Sequence, residues 1–397
     1  MPPRRVPGRL ILRAAALGLG AVLAGCTLAA HEAGRVEPPY AYSRYVTGLS
    51  WDFSALATQR RAHGSDLWPC AWANDGNLYC AWGDGGGFDG DDDHIGRVSL
   101  GFARVEGVPS LADPSRWSGK NVWGEPPYAE YPADFGGKVS SMTSIGGVLY
   151  GTGSLWTAQN SDRPTHTSEA GPRSALVWSS DLAKTWQIAP WSMRSGLGSF
   201  LNFGRDGKGA FDAYVYVYYL REGDTRHLYL KRVPGERLQS DPATPGLYQY
   251  LSSTGRAGKG VRWSTREADA VAVFSDANHV LSQDVVYDAP LGRYLLSVGH
   301  YASGRERDAS QGEMGIFEAP FPWGPWATVA YYENWANLRP ESVGDFLELH
   351  IPAKWIGEGG VTFWAVFSGL NAFDSFNLAK GTLAVAAATS RAGSGGP

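Results

Sequence analysis

The stretch Leu67-Trp-Pro-Cys-Ala-Trp-Ala-Asn-Asp-Gly-Asn-Leu-Tyr-Cys-Ala-Trp82 indicates the fold class. Two short apolar runs flank Asn-Asp-Gly, which favours a three-residue hairpin loop with Gly76 in the left-handed conformation. Pairing residue 73 with residue 77 places Cys70 directly opposite Cys80. A cross-strand disulfide is therefore geometrically reasonable, and two buried free thiols are the alternative. The stretch predicts a β-hairpin.

The same pattern continues along the chain. From about Ser50 to Leu383, short apolar runs alternate with Gly, Asn, Asp and Pro turns, and hardly any stretch has helical apolar spacing. Such even spacing favours a propeller or sandwich over an α/β fold, because the crossover helices of parallel sheets are missing. The sequence predicts an all-β, five-bladed β-propeller over residues 41–388, with a disordered tail over 389–397. The five blades are predicted to open near Asp66, Lys138, Phe200, Ser282 and Phe346.

The composition agrees with this prediction and excludes two classes of protein. The chain has 397 residues, with 16 Trp and 51 Gly, which is typical of tight turns between aromatic-rich strands. Only 19% of the residues are charged, and the formal net charge is −4. That is too little charge for a disordered chain and the wrong sign for a general nucleic-acid binder. We therefore exclude both.

The N-terminus reads as an export signal. A segment with four Arg residues precedes an uncharged stretch from Ala14 to Gly25, which is too short to span a bilayer as a mature helix. Leu23-Ala-Gly-Cys26 resembles the bacterial lipobox, in which the cysteine receives a lipid; an ordinary signal peptide is the alternative. We predict a lipoprotein signal peptide over 1–25, a tether over 26–40 and a lipid anchor at Cys26 in the bacterial cell envelope.

The best candidate catalytic groups are carboxylates near the predicted innermost strands, because these strands line a propeller's central channel. Asp66 and Asp84 lie at the two ends of the first hairpin, beside Trp68, Trp82 and Phe88. Glycoside hydrolysis needs one carboxyl group to protonate the leaving oxygen and one to activate water or attack the anomeric carbon. Nearby aromatic rings could stack on sugar and raise a carboxyl pKa. Ordinary turn chemistry is the alternative for Asp84, which precedes Gly.

Three tryptophans bracket these two carboxylates. Trp68 and Trp72 have the same parity along their strand, and residue 68 pairs with residue 82 in the proposed register. Trp68, Trp72 and Trp82 are therefore predicted to share one face and to form a sugar-stacking wall.

Other polar residues lie near the predicted blade strands. Asp212 precedes the aromatic run Tyr214 to Tyr219, where a carboxylate is costly unless it is exposed or paired, and Arg205 is one candidate partner. Lys138 could hydrogen-bond substrate hydroxyls or lower the pKa of a neighbouring carboxylate. For each of these, a strand-end polar residue satisfied by backbone donors is the alternative. The remaining substrate-binding candidates are Asn202, Asp284, Glu341 and Lys354.

Metal and nucleophile motifs receive little support. Asp89, Asp91 and Asp93 alternate as in a calcium loop, but position six is His94 rather than Gly and position twelve is Leu100. A structural calcium ion there stays an alternative to a solvated acidic loop, and we expect no other cofactor. The sequence has no Gly-x-Ser-x-Gly, His-Glu-x-x-His, phosphate-binding or dinucleotide-binding pattern.

Two turns resemble those of known propellers. Ser179-Ser-Asp181-Leu-Ala183-Lys-Thr-Trp186 resembles the Asp-box of sialidases, Ser-x-Asp-x-Gly-x-Thr-Trp, with Ala183 in place of Gly. Gly324-Pro-Trp326 resembles a turn between blade strands in five-bladed glycoside hydrolases. Both turns are expected to be structural, so Asp181 is not a candidate catalytic residue.

A family pattern is carried by seven segments, which are Ser65–Pro69, Trp82–Gly85, Phe200–Arg205, Tyr214–Tyr218, Gly324–Trp326, Ala353–Trp355 and Val366–Gly369. Together they resemble the bacterial secreted proteins catalogued as domain of unknown function 4185, which are related to five-bladed glycoside hydrolases such as arabinanases. The resemblance implies catalysis by Asp66, with Asp84 or Asp212 second, on a polysaccharide that could contain arabinofuranose. The chain departs from the pattern at Ser282-Gln-Asp-Val285 and Phe346-Leu-Glu-Leu-His350.

Three functions fit these residues. The first is a lipid-anchored glycoside hydrolase, the second a non-catalytic carbohydrate-binding propeller, and the third a surface scaffold for partner proteins. For the first two, the expected partners are a polysaccharide and, through Cys26, a membrane. We expect a monomer that binds no nucleic acid.

Overall fold

A computed structural model describes most of the predicted globular region. The chain divides into two compact units, Met1–Glu37 and Pro38–Pro397, and every strand below belongs to the second. Among the described residues, no helix is long and apolar enough to cross a membrane. Cys26, Asp89 to Asp93, Glu341 and the predicted tail lie outside the described ranges. Those ranges are 37–88, 98–124, 135–157, 173–192, 198–256, 260–300, 313–333, 335, 348–369 and 373–387.

The described part of the chain is built from β-strands, so the prediction of an all-β fold is confirmed. The strands are β1 (Val46–Asp52), β2 (Asp66–Trp72), β3 (Leu78–Gly85), β4 (Val98–Gly107), β5 (Trp117–Trp123), β6 (Phe135–Ile145), β7 (Val148–Thr157), β8 (Arg173–Ser179), β9 (Gln187–Ile188), β10 (Gly198–Asn202), β11 (Tyr214–Tyr219), β12 (His227–Pro234), β13 (Gln249–Ser253), β14 (Arg262–Ser264), β15 (Ala272–Ser275), β16 (Ser282–Asp288), β17 (Arg293–Gly299), β18 (Met314–Ala319), β19 (Ala327–Tyr332), β20 (Glu348–His350), β21 (Thr362–Ser368) and β22 (Asn377–Val385). Short 3-10 helices lie at Ser54–Ala57, Pro114–Arg116, Arg205–Gly207, Gly235–Arg237, Glu267–Asp269 and Ala353–Trp355.

The strands form antiparallel sheets of neighbours in sequence. Sheet I is β2 to β5, and sheet II is β6 to β9. Sheets III (β10 to β15) and IV (β16 to β19) are joined by one parallel pair, β10 with β16. Sheet V has the order β1-β22-β21-β20, so the first strand pairs with the last and completes it.

Each sheet is connected to the next by hydrogen bonds. These bonds link I to II, II to III, III to IV, IV to V and, finally, V back to I. They are Gly137 N to Ser99 Oγ (3.1 Å), Phe200 N to Ser141 Oγ (2.9 Å), Ser199 Oγ to Gln283 O (2.6 Å), Ser297 Oγ to Leu349 O (2.8 Å) and Leu67 N to Ser368 Oγ (3.0 Å).

The apolar core lies between the sheets, because many strands bury both of their faces. Successive side chains of a strand point to opposite faces. On β16, for example, Val285 packs in the cluster between sheets III and IV, whereas Val286 packs between sheets IV and V. Similar clusters separate sheets I and II, II and III, and V and I. Near-continuous apolar runs are therefore required along these strands.

The turn between β8 and β9 is structural. Asp181 Oδ1 accepts a hydrogen bond from Thr185 N at 2.9 Å, and Oδ2 accepts one from Thr185 Oγ1 at 2.6 Å. Trp186 stacks on Phe102 of sheet I, with ring centroids 3.8 Å apart. The Asp181 carboxylate thus accepts hydrogen bonds from its own turn and stabilises it.

The first hairpin forms with one difference from the predicted register. The predicted disulfide between Cys70 and Cys80 is present, and Gly76 has φ +88°. However, Trp82 pairs with Leu67 rather than with residue 68, because the register shifts between Leu67 and Cys70. Proline lacks the N–H needed in the ladder, so Pro69 accounts for the irregularity. The predicted pairing of 68 with 82 is therefore wrong.

Candidate active site

A cavity of about 400 Å³ with several polar side chains in its wall lies where four strands of different sheets meet. Its wall includes Ser140 of β6, Ser199 of β10, Gln283 of β16 and Glu348 of β20. These are the first strands of sheets II, III and IV and an edge strand of sheet V, and three of the four residues lie within two positions of the strand start. Hydroxyl, amide and carboxyl groups can hydrogen-bond a hydroxyl-rich ligand.

Asp66 and Asp84 share one lysine beside this cavity. The Lys138 Nζ is 3.3 Å from Asp66 Oδ1 and 2.8 Å from Asp84 Oδ2. Because both oxygens contact one nitrogen, they lie at most about 6 Å apart. Lys138 is two residues before Ser140 in β6, which places the group next to the cavity wall. The structure thus brings together three residues that were predicted from the sequence.

The backbone of the first hairpin produces this proximity. Asp66 is the first residue of β2 and pairs with Gly83, the neighbour of Asp84. A Cβ atom at position 83 would overlap Asp66 Oδ1 and Lys138 Nζ, so only glycine leaves room for the ion pairs. Gly83 is therefore a geometrical requirement of these ion pairs.

A second charged group reaches the cavity from sheets IV and V. Asp284 Oδ1 is 3.4 Å from His350 Nδ1, and His350 Nε2 is 3.0 Å from Glu348 Oε2. Asp284 Oδ2 also accepts a hydrogen bond from Ile351 N at 3.1 Å. Burial alone would lower the pKa of His350, but hydrogen bonds and attraction from Asp284 and Glu348 outweigh it and raise that pKa to about 9. The imidazole is therefore positively charged at neutral pH.

Glu348 couples the two groups. Burial raises its pKa, and the hydrogen bond with His350 opposes that rise only in part. The negative charges of Asp66 and Asp284 raise the pKa further. Glu348 thus lines the cavity and is close enough to Asp66 for the two carboxyl groups to repel each other.

Glu348 and His350 were absent from the sequence-derived site residues. Both lie in Phe346-Leu-Glu-Leu-His350, whose last three residues alternate polar, apolar and polar. Residues two apart in a strand share one face, so Glu348 and His350 face the same way. This alternation was the available signal.

Asp212 is not part of this group. Its carboxylate accepts hydrogen bonds from Tyr216 Oη at 2.7 Å and Tyr214 N at 3.0 Å. The strand that follows it, β11, is antiparallel to β10, and the cavity residue Gly198 pairs with Tyr219 at the far end of β11. Asp212 therefore lies at the opposite end of sheet III, paired with Arg232 at 3.7 Å rather than with Arg205.

Asn202 and Lys354 also lie away from the cavity. Asn202 is the last residue of β10, four residues or about 13 Å from Gly198, and its amide donates to Met142 O. Burial lowers the pKa of Lys354, and attraction to Asp75 opposes this. Asp75 is in the hairpin turn at the other end of β2 from Asp66.

The predicted sugar-stacking wall is contradicted. Trp68 and Trp82 are both fully buried, with ring centroids 6.0 Å apart, and Phe88 packs 5.2 Å from Trp68. These rings fill the core between sheets I and V, where their large apolar area is removed from water. Trp68 and Trp82 are therefore inaccessible to a sugar, whereas Trp72 and Phe88 are partly buried and pack against this cluster.

The two buried indoles instead brace the site. Trp68 Nε1 donates to Ser65 O at 2.8 Å, and Trp82 Nε1 donates to Gly85 O at 3.2 Å. Each acceptor is the immediate neighbour of a site carboxylate, Asp66 or Asp84. The tryptophans thus fix the backbone on which these carboxylates stand.

The charged side chains of the site mostly pair with one another. Within the ranges that the structure describes, no group of three or more His, Cys, Asp or Glu side chains has an arrangement suited to a metal ion. The predicted calcium loop at Asp89, Asp91 and Asp93 lies outside those ranges.

Comparisons with known proteins give structural similarity only. No family model matches the chain, and no curated protein matches it. Similar solved structures include the α-L-arabinofuranosidase of Podospora anserina, at 12% identity and TM-score 0.43, covering 87% of this chain and 96% of that one. A family 62 α-L-arabinofuranosidase catalytic domain from Coprinopsis cinerea has 11% identity and TM-score 0.44, with 87% and 96% covered. A family 43 enzyme from Xanthomonas citri has 12% identity and TM-score 0.44, with 84% and 94% covered. At these scores the similarities carry no functional inference.

Proposed function

We propose that the protein is a five-bladed β-propeller. Sheets I to V would be the blades, with β2, β6, β10, β16 and β20 as their inner strands. Two observations support this: an apolar cluster separates each sheet from the next, and sheet V contacts sheet I as well as sheet IV. Pairing of β1 with β22 would then close the ring.

We further propose that the protein is a glycoside hydrolase. The supporting observation is the Asp66–Lys138–Asp84 group beside a cavity that Glu348 lines. Glycoside hydrolysis passes through a transition state with positive charge at the anomeric carbon. Two carboxylates fixed within about 6 Å of each other supply the negative charge that stabilises such a state. Their attachment to a braced hairpin keeps that charge in place before substrate binds.

The substrate class that fits is a polysaccharide. The cavity volume, about 400 Å³, is within the range of ligand sites, and its wall is rich in hydroxyl and charged groups. An arabinofuranose-containing glycan is our first choice, on the sequence resemblance described above. Lipid attachment at Cys26 would hold the enzyme at the bacterial cell envelope, close to such a polymer.

The test is loss of cleavage on replacing the carboxylates. We expect Asp66→Asn and Asp84→Asn each to abolish release of reducing ends from arabinogalactan, with little change in Tm. Asp212→Asn is the matched control, because the same chemical change falls at the other end of sheet III, and it should retain activity. Full turnover by both site variants would refute the assignment. Glycan binding without new reducing ends, in the wild type, would favour a carbohydrate-binding propeller instead.

A further inference from the structure

Building on the proposed glycosidase activity, we infer that Glu348 is the proton donor to the leaving glycosidic oxygen. His350, held by Asp284, is the positioning residue that directs the proton to Glu348 Oε1. Glu348 is thus assigned a catalytic role, and His350 and Asp284 are assigned positioning roles. These three residues act in addition to the proposed carboxylates Asp66 and Asp84.

The ion pairs of Asp66 and Asp84 leave Glu348 as the best candidate for the proton donor. Asp66 and Asp84 are both in ion pairs with Lys138, which suits them to stabilise positive charge rather than to deliver a proton. Glu222 also lines the cavity but is exposed to solvent. The Glu348 side chain is only 14% exposed. Burial favours the neutral, protonated form of a carboxyl group, which is the form an acid catalyst needs.

The neighbouring carboxylates act on Glu348 in the same direction as burial, and the positive charge of His350 opposes them. Asp66 faces it from β2 and Asp284 from β16, and both carry negative charge that opposes ionisation of Glu348. Lys138 is already shared by Asp66 and Asp84, so the positive charge that contacts Glu348 directly is His350 of its own strand. The remaining charged residues of the cavity wall are Arg221 and Glu222.

His350 determines which oxygen of Glu348 holds the proton. A charged imidazole has two N–H donors and no acceptor. Nδ1 lies 3.4 Å from Asp284 Oδ1, an ion-pair contact, and Nε2 donates to Glu348 Oε2 at 3.0 Å. Since Oε2 already accepts from His350, a proton on Glu348 resides on Oε1. The catalytic proton is thereby excluded from the His350 side of the carboxyl group.

The chemical step is balanced with water as the co-reactant. The bond between the anomeric carbon and the leaving oxygen breaks, and that oxygen takes the proton from Glu348 Oε1. The water oxygen forms the new bond to the anomeric carbon, and a carboxylate of the site takes up the water's released proton. Charged His350 then stabilises the Glu348 carboxylate that results.

The test for Glu348 compares leaving groups. The Glu348→Gln variant should lose about 10²- to 10⁴-fold in kcat on arabinogalactan. On 4-nitrophenyl arabinofuranoside, whose leaving group needs little protonation, it should stay within about tenfold of wild type. Formate should partly rescue Glu348→Ala on the polysaccharide. Equal losses on both substrates, or no loss on arabinogalactan, would overturn the assignment. A wild type that cleaves neither substrate would instead refute the proposed glycosidase activity itself.

The test for His350 needs a readout that a purely structural role would not change. In Asp284→Asn the imidazole loses a negative acceptor, so the nitrogen-15 NMR titration midpoint of His350 should fall. The basic limb of the kcat profile for arabinogalactan should move to lower pH too, but Asp284→Asn also stops opposing ionisation of Glu348 directly, so His350→Gln, which keeps Asp284, is the deciding variant. Because His350→Gln removes the positive charge that favours ionised Glu348, its basic limb should move to higher pH, and a limb that stays in place would show that His350 does not act through Glu348.

Discussion

Replacing His350 with Gln should make the stability difference from wild type strongly dependent on pH. Folding raises the pKa of His350 from 6.5 to about 9, because the attraction of Asp284 and Glu348 exceeds the effect of burial. Each pKa unit corresponds to about 1.4 kcal/mol, so the charged imidazole contributes about 3 kcal/mol to the free energy of unfolding. The side chain is only 4% exposed, and solvent screening is small.

The sign follows from the raised pKa. Stabilisation is fully present below pH 6.5, the unfolded value, and is lost as the pH rises through about 9. Glutamine retains a hydrogen-bond donor but has no charge to lose over this range. Subtracting the two unfolding free energies cancels the other titrating groups that the substitution does not affect.

Urea unfolding followed by tryptophan fluorescence measures the effect. We compare the free energy of unfolding of wild type with that of His350→Gln. The difference between them should be about 3 kcal/mol larger at pH 6 than at pH 10. The stability difference between wild type and Asp284→Asn should change with pH in the same direction but by less. The reason is that His350 keeps Glu348 as a partner in this variant. A wild-type advantage that is equal at both values of pH would refute the charged state of His350.

Three further predictions concern the supports of the site. Lys138→Met removes the cation between Asp66 and Asp84 and should lower kcat on arabinogalactan by about 10²-fold or more, whereas Lys184→Met, at an exposed turn, should leave it unchanged. Trp82→Phe removes the hydrogen bond to Gly85 O. It should lower the free energy of unfolding by about 1 to 3 kcal/mol and kcat by up to about 10²-fold. Trp326 is also buried, and Trp326→Phe should destabilise the protein without that loss in kcat. Replacing Cys70 and Cys80 together by Ser should cost about 3 kcal/mol, as expected for closing a short loop, with kcat per folded molecule retained; an unchanged urea midpoint would contradict this.

The sequence located the starts of five strands well. The predicted openings near Asp66, Lys138, Phe200, Ser282 and Phe346 fall within three residues of the starts of β2, β6, β10, β16 and β20. This succeeded because the strands bury both faces and end in Gly, Asn and Asp turns, so local composition marks their limits.

The site was predicted only where its residues are close in sequence or share a strand position. Asp66 and Asp84 belong to one hairpin, and Lys138 stands near the start of β6. Asp212 could not be placed, because its position depends on the direction of β11, and the residues around a strand start look alike at either end. Pro69 shifted the register of the tryptophans, and whether their shared face met substrate or core depended on packing with sheet V. Glu348 and His350 acquire their importance only through contact with Asp284, which is distant in sequence.

Isotope labelling during turnover tests the central claim most directly. Wild-type protein is incubated with arabinogalactan in water labelled with the heavy oxygen isotope, and the products are analysed by mass spectrometry beside those of Asp66→Asn and Asp212→Asn. We predict one labelled oxygen at each new reducing end for wild type and Asp212→Asn, and no labelled fragments for Asp66→Asn. Labelled fragments in equal yield from wild type and Asp66→Asn would contradict a hydrolytic site built around Asp66.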